Sequence, residues 1–496
     1  TVTILKNKVA KEDWKSYQQF TKDAGLNSES WIQLIRRTSG GAAKIIAPPT
    51  LKERPSSKPN GIVVKAEPEP AAVAKNATAK DLVDKARELM KANDLVSAKA
   101  TLEAAKKLNP QEEYLWAILG IIARSQRNFD EAMEDFRTEL KYHPENPALV
   151  ANLAGTETLA GNLPVGIEVL KDYLAKHPDE LNLSVQLAGY QSRAEDYAGE
   201  LATLEAAAAQ HPDNAGLHLE AANALYRLDR KDEAAAAAKS VIEDATDPLM
   251  MNNAAYVLSE TGRNLDLAES VSRKSIALLE EKSTTMTAEE ANRTAFNSAS
   301  TLIASWDTLG WILFVNGKTD EALAYILPSW RNGLSAEVGE HLGEIYEKQG
   351  KRDEAATAYH LAEAASGSNT ASPLRRLIHE GYTRLEAAGA KPKSKDYTEE
   401  LQVSRTYKLG KIAGASRWGS FRLILSTDGV VESQKMSGAD SILTANDAIR
   451  KLKFPELLPA GSKAHLLRSG VVSCSQTTGC ELVLVPGGGL QTEIPQ

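Results

Sequence analysis

Apolar side chains recur at helical spacing through most of this chain and at alternate positions only toward its two ends. Thr1 to Leu5 alternates, and Glu12 to Ala24 carries Trp14, Tyr17 and Phe20 on one face, which predicts a strand and then a helix within residues 1–37. Residues 38–77 break both patterns. Pro48, Pro49, Pro55, Pro59, Pro68 and Pro70 fall there among alanines and charges, a composition that buries no core and predicts an extended linker. Helical periodicity then holds over 78–387. Its last helix starts at Ser372-Pro373, places Leu374, Leu377, Ile378 and Tyr382 on one face, and is expected to cap the array. A second linker is expected over 388–402, around Lys391-Pro392-Lys393. Alternation returns in a final domain over 403–487. Ser420 to Ser426 and Val430 to Met436 read as strands about a Thr427-Asp428-Gly429 turn. A short helix follows over Thr444 to Leu452, with Thr444 as its cap, and two more strands flank Cys474 and Cys480. Residues 488–496 read as a flexible tail.

The helical region repeats. Pro110, Pro144, Pro178 and Pro212 lie 34 residues apart, each after a similar short polar run. At this period the sequence resembles the tetratricopeptide-repeat (TPR) family, whose unit is two helices. Trp116, Leu119, Gly120, Ala132, Phe136 and Pro144 match the family's marks. So do Trp306, Leu309, Gly310, Ala322 and Ile326, and again Leu342, Gly343, Tyr346, Ala355 and Tyr359. Small residues let paired helices approach, bulky ones fill the gap between repeats, and proline stops the second helix. Eight units are expected, at 79–112, 113–146, 147–180, 181–214, 215–248, 249–284, 303–336 and 337–368, with 282–302 as a longer connection. The fold class is therefore mainly α: a TPR solenoid of about eight helix pairs with a small C-terminal α+β domain.

Charge narrows the function classes. The net charge is −8 over 496 residues, which argues against the basic surface that nucleic-acid binding needs. No apolar run is long enough to span a membrane. The two cysteines sit on β-rich arms around five turn-forming residues, so they could face one another across a hairpin. A disulfide there would imply an oxidising compartment; two free thiols are the alternative. The chain begins at Thr1 within a strand-like run and is read as a product of a longer precursor.

No phosphate loop, dinucleotide fingerprint, nucleophile elbow or metalloprotease helix occurs, so no catalytic residue, metal or cofactor is expected. His143, His177 and His211 recur at the repeat period. Equivalent points on successive repeats are roughly 10 Å apart, too far to converge on one ion, so they read as helix-end residues. What remains is surface. The first helices of a TPR array line its concave face, and in this register that face receives Arg124, Arg193, Asn223, Arg227, Asn252, Asp307, Trp311 and Lys348.

The ββαββ order of the last domain, with Asp428-Gly429, Ala448 to Leu452, Phe454-Pro455 and Pro459, resembles the C-terminal domain of TonB-type transducers. Residues 1–37 resemble the end of a domain that precedes transglutaminase-like modules in bacterial envelope proteins. These resemblances imply a non-catalytic scaffold of the periplasm, outer-membrane surface or extracellular space, with a protein or peptide partner. Other copies of itself are among the possible partners. A subunit of an extracellular filament, joined head to tail or by strand exchange, and an accessory part of a transglutaminase-like protein are the alternatives.

Overall fold

The computed structural model describes residues 77–366, 373–393, 396–415, 417–454, 456–475 and 479–485. The strand and helix expected within 1–37, the linker up to residue 76 and the tail over 488–496 lie outside the described residues. The described chain forms two compact units that meet in sequence between Ala237 and Ala238.

The first unit is a run of helix hairpins: α1 (Ala79–Lys91) with α2 (Leu95–Leu108), α3 (Leu115–Ser125) with α4 (Phe129–Tyr142), α5 (Pro147–Leu159) with α6 (Leu163–Leu174), and α7 (Leu181–Arg193) with α8 (Tyr197–Gln210). Then follow α9 (Ala215–Arg227) and α10 (Lys231–Asp244), within which the boundary falls. Local chemistry sets the ends. Thr78 and Asp81 form a reciprocal capping box before α1. Side chains of Asp94, Asn146, Asp196 and Asn214 accept from the first N–H groups of their helices. Tyr114 at the start of α3 has no such cap. There Glu139 reaches over from α4, its carboxylate accepting from the N–H groups of Tyr114 (2.6 Å), Trp116 (2.8 Å) and Ala117 (3.1 Å).

Every hairpin turn in this unit has one left-handed residue, and these fall 34 positions apart: Asn93, Arg127, Gly161, Glu195 and Asp229. The next N–H bonds the carbonyl five residues back, Asp94 to Leu89, Asn128 to Ala123, and so on to Arg230 and Leu225. This is the Schellman closure, which satisfies the last carbonyls of the first helix. Only one of the five is glycine, so most of these turns hold a side chain in a conformation that L-residues disfavour.

The second unit continues with α11 (Pro248–Thr261), α12 (Leu265–Ser283), α13 (Arg293–Val315), α14 (Thr319–Gly333), α15 (Ala336–Lys348), α16 (Arg352–Ala365) and α17 (Pro373–Ala387). The long connection expected over 282–302 shrinks to 284–292. Asn292 caps α13 by accepting from Ala295 N–H, and Ala299, Leu302 and Ile303 are buried, so α13 starts ten residues before the unit expected from 303. The repeat glycines sit where the pattern requires. A Cβ on Gly120, Gly310 or Gly343 would lie 2.8, 2.6 or 2.5 Å from Phe136, Ile326 or Tyr359, the bulky residue sixteen positions later in each case. Leu119, Ala132, Trp306, Leu309, Ala322, Leu342 and Ala355 are buried, Trp116 and Tyr346 are half-buried, and Pro144 lies exposed beyond α4.

Within the expected second linker, Tyr397–Val403 forms helix α18, and Lys391 and Lys393 N–H groups bond Asp353 and Thr357 of α16. The C-terminal sheet has five antiparallel strands: β1 (Thr406–Gly410), β2 (Arg417–Ser426), β3 (Gly429–Gly438), β4 (Leu466–Ser475) and β5 (Gly479–Leu484), in the order β1-β5-β4-β2-β3. Strand β1 is additional to the expected ββαββ order. The expected helix from Thr444 is also corrected. A 3-10 turn occupies Asp440–Ala445, α19 is only Asn446–Ile449, and Thr444 Oγ1 donates back to Ser441 rather than capping. Cys474 and Cys480 pair directly across β4 and β5 and are joined by a disulfide, with Cα atoms 4.0 Å apart.

The sheet is continuous with the last repeats. One apolar core runs from Leu302 and Trp306 of α13 to Phe421, Leu466 and Leu482. Polar ties border it. The Asn332 amide donates to Leu457 O, Arg468 to Asn332 O, His465 N–H to Ser283 Oγ, and Ala288 N–H to Glu432.

Candidate binding face

The eight surface residues singled out in the sequence all lie on the first helix of a pair: Arg124 on α3, Arg193 on α7, Asn223 and Arg227 on α9, Asn252 on α11, Asp307 and Trp311 on α13, and Lys348 on α15. In the first unit the cations are engaged internally. Arg124 donates to Asn152 Oδ1 at 2.8 Å. Arg227 donates to Ser192 Oγ and to the buried Glu200, which belong to the preceding pair. Arg193 lies over the Tyr190 ring, and Asn223 is half-buried. Arg124 and Arg227 tie one repeat to the next.

The three periodic histidines do the same at the other end of the helices. His143, His177 and His211 each reach 32 residues back, to Gln111 O (3.4 Å), Glu145 Oε2 (3.1 Å) and Asp179 O (3.2 Å). They fasten each second helix to the loop before it.

In the second unit the first helices α11, α13 and α15 bring together a polar cluster. His341 is 3% exposed, and its Nδ1 lies 3.0 Å from Asp307 Oδ1, one repeat earlier. The Trp311 ring stacks on the imidazole, with centroids 4.1 Å apart and planes 14° apart. Trp311 Nε1 donates to Glu260 of α11 at 2.7 Å, and the Tyr256 hydroxyl donates to Glu337 of α15 at 2.9 Å. Glu340 and Glu344 lie one turn apart on α15. Lys348 is exposed, one turn beyond Glu344.

These groups set one another's ionisation. Burial pushes the His341 imidazole down, but Asp307, with Glu337 and Glu340 behind it, outweighs burial and holds it up at about 9. Surrounding protein lifts the Glu337 carboxyl above the usual range, with Asp307 adding to it, although the residue is exposed and solvent screens the effect. Burial and then Glu344 raise Glu340 well above that range. Burial and the two nearby glutamates raise the Tyr256 phenol. The cluster thus holds its protons tightly, and His341 is its internal cation.

Asn252 and Tyr256 are one turn apart on α11, so their side chains share a face. Asn252 is 4% exposed, and its Oδ1 accepts no hydrogen bond. Of the residues expected on the surface here, Trp311 is half-buried, and Asp307 and Asn252 are buried because neighbouring helices pack over them. Glu337, Glu340, His341 and Glu344 were missed, although the spacing of Glu337, His341 and Glu344 by four and three places them on one helical face. Among the described residues no group of three or more His, Cys, Asp or Glu converges to hold a metal, and no helix is long and apolar enough to cross a membrane.

Helix hairpins with a small residue against a bulky one at fixed spacing, stacked through their first helices, define a helix-pair solenoid. Residues 83–139, 119–180 and 186–248 match the tetratricopeptide repeat model, and 272–386 match the tetratricopeptide repeat-like domain. The chain carries tetratricopeptide repeats over these residues. Several solved structures are similar at low identity. A tetratricopeptide repeat protein from Parabacteroides merdae is 18% identical over 62% of this chain and 98% of its own (TM-score 0.38). YrrB, a TPR protein with an unusual peptide-binding site, is 17% identical over 35% and 89% (TM-score 0.29). PilW, a type IV pilus biogenesis factor, is 18% identical over 42% and 96% (TM-score 0.32). No curated protein matches the chain.

Proposed function

We propose that this protein is a non-catalytic scaffold that binds a protein or peptide segment along the first helices of its last repeats. The observation that carries the reading is the half-buried face of Tyr256, Glu260, Trp311, Glu340 and Glu344, built on three rigid helices of successive pairs. Aromatic rings beside hydrogen-bonding groups on such a support are what an extended peptide needs. The first unit is the weaker candidate, because Arg124 and Arg227 are bonded to neighbouring repeats. The location proposed is the bacterial envelope or the extracellular space. The Cys474–Cys480 disulfide supports an oxidising compartment, and the resemblance of the terminal domain to TonB-type domains points the same way.

A photo-crosslinking residue at Trp311 tests the binding face against one on the outer helix α12, at Leu278. A partner captured from source cells at 311 and not at 278 supports the reading; equal capture at both sites, or none, refutes it. Free thiols at Cys474 and Cys480 in protein from its native source would refute the location.

A further inference from the structure

The same face has a charge that selects its ligand. Resting on the scaffold reading above, we infer that it takes a cationic segment, a stretch of a partner protein that presents an arginine or lysine side chain. Trp311 bonds Glu260 and stacks on His341, whose helix also carries Glu337, Glu340 and Glu344; His341 is already bonded to Asp307, and Lys348, one turn beyond Glu344, is exposed. Charge complementarity therefore points to an added cation. A second observation is independent of charge. The buried Asn252 Oδ1, on the face of α11 that carries Tyr256, is an acceptor with no donor, so a ligand bearing N–H groups fits where one bearing only acceptors does not. The exposed part of the Trp311 ring offers a guanidinium a surface to lie on. A guanidinium satisfies these demands together: planar, charged and donor-only.

The test uses the full chain and three capped hexapeptides, of arginine, of glutamine and of glutamate, at low salt. Binding is read by calorimetry and by tryptophan quenching that disappears in Trp311→Phe. Because the whole protein is acidic, two charge-neutralising pairs are compared: Glu340→Gln with Glu344→Gln on the face, and Glu289→Gln with Glu290→Gln in the exposed turn before α13. Hexaarginine is expected to bind with the Trp311 signal and to weaken about tenfold or more in the first pair, but less than about twofold in the second. Should the first pair disturb the fold by circular dichroism, Glu344→Gln alone carries the comparison. Equal losses in both pairs would mean diffuse attraction to an acidic protein and overturn the proposal. Binding of hexaglutamine or hexaglutamate at Trp311 as tight as hexaarginine would overturn the cationic preference while leaving the scaffold reading intact. No Trp311 signal with any peptide would overturn the proposal, and the crosslinking comparison then decides the scaffold reading separately.

Discussion

Asp307 on α13 and His341 on α15 form a buried pair, Oδ1 to Nδ1 at 3.0 Å, that joins one repeat to the next beneath the Trp311 ring. The pair fixes the charge state of the face above it. Removing either partner leaves a buried polar group without its hydrogen bond, which is costly.

Stability should therefore fall with rising pH. His341 has its folded value raised to about 9, above the ordinary 6.5, so its contribution is complete below about pH 6.5 and lost as pH rises through about 9. Glu337 and Glu340, also raised, act in the same direction from the carboxylate range upward. Melting followed by circular dichroism should show a decline between about pH 6.5 and 9 that is shallower in His341→Gln. A melting temperature that is flat or rises over this range would contradict the assignment.

Gly310→Leu should destabilise by about 1–3 kcal/mol, since even a Cβ there meets Ile326 at 2.6 Å. Gly189→Ala is the opposite case. It lies exposed within α7 with nothing near its missing Cβ, so alanine should stabilise by about 0.5–1 kcal/mol. Urea unfolding of the two variants gives opposite signs if the packing register is right.

Glu195→Gly should stabilise by about 0.5–1 kcal/mol, because Glu195 holds φ at 58° in a Schellman turn where glycine has no Cβ to strain. Gly161→Ala, at φ 92° in the equivalent turn, should destabilise by about the same amount. Thermal melts of both variants check the pair.

Glu139→Ala should cost about 2–4 kcal/mol, because its buried carboxylate accepts from three N–H groups at the start of α3, which has no other side-chain cap. Hydrogen exchange should then rise first at Tyr114, Trp116 and Ala117. Unchanged exchange there would show that the cap contributes little.

Much of this architecture was written in the sequence, because a repeat must satisfy the same local constraints each time it occurs. The 34-residue proline spacing gave the hairpins, and Gly120, Gly310 and Gly343 marked the close approaches that only glycine permits. Facing positions gave the Cys474–Cys480 pairing. The left-handed turns were not legible. The chain places Asn, Arg, Gly, Glu and Asp at one backbone conformation, so stacking of the flanking helices imposes it whatever the residue. The early start of α13 was hidden for a related reason: Ala299, Leu302 and Ile303 continue the helix before the repeat mark, and the core they meet comes partly from the terminal sheet.

By itself, then, the sequence determined the helix pairs, their period and the residues that let paired helices touch, since each rests on neighbours within about one repeat. The tertiary structure alone decided which polar residues came together. Asp307 and His341, Trp311 and Glu260, and Tyr256 and Glu337 are partners 34, 51 and 81 residues apart, and a side chain's neighbours at such distances depend on how helices stack. Stacking also spent Arg124 and Arg227 inside the array and left an acidic, aromatic face on the last repeats.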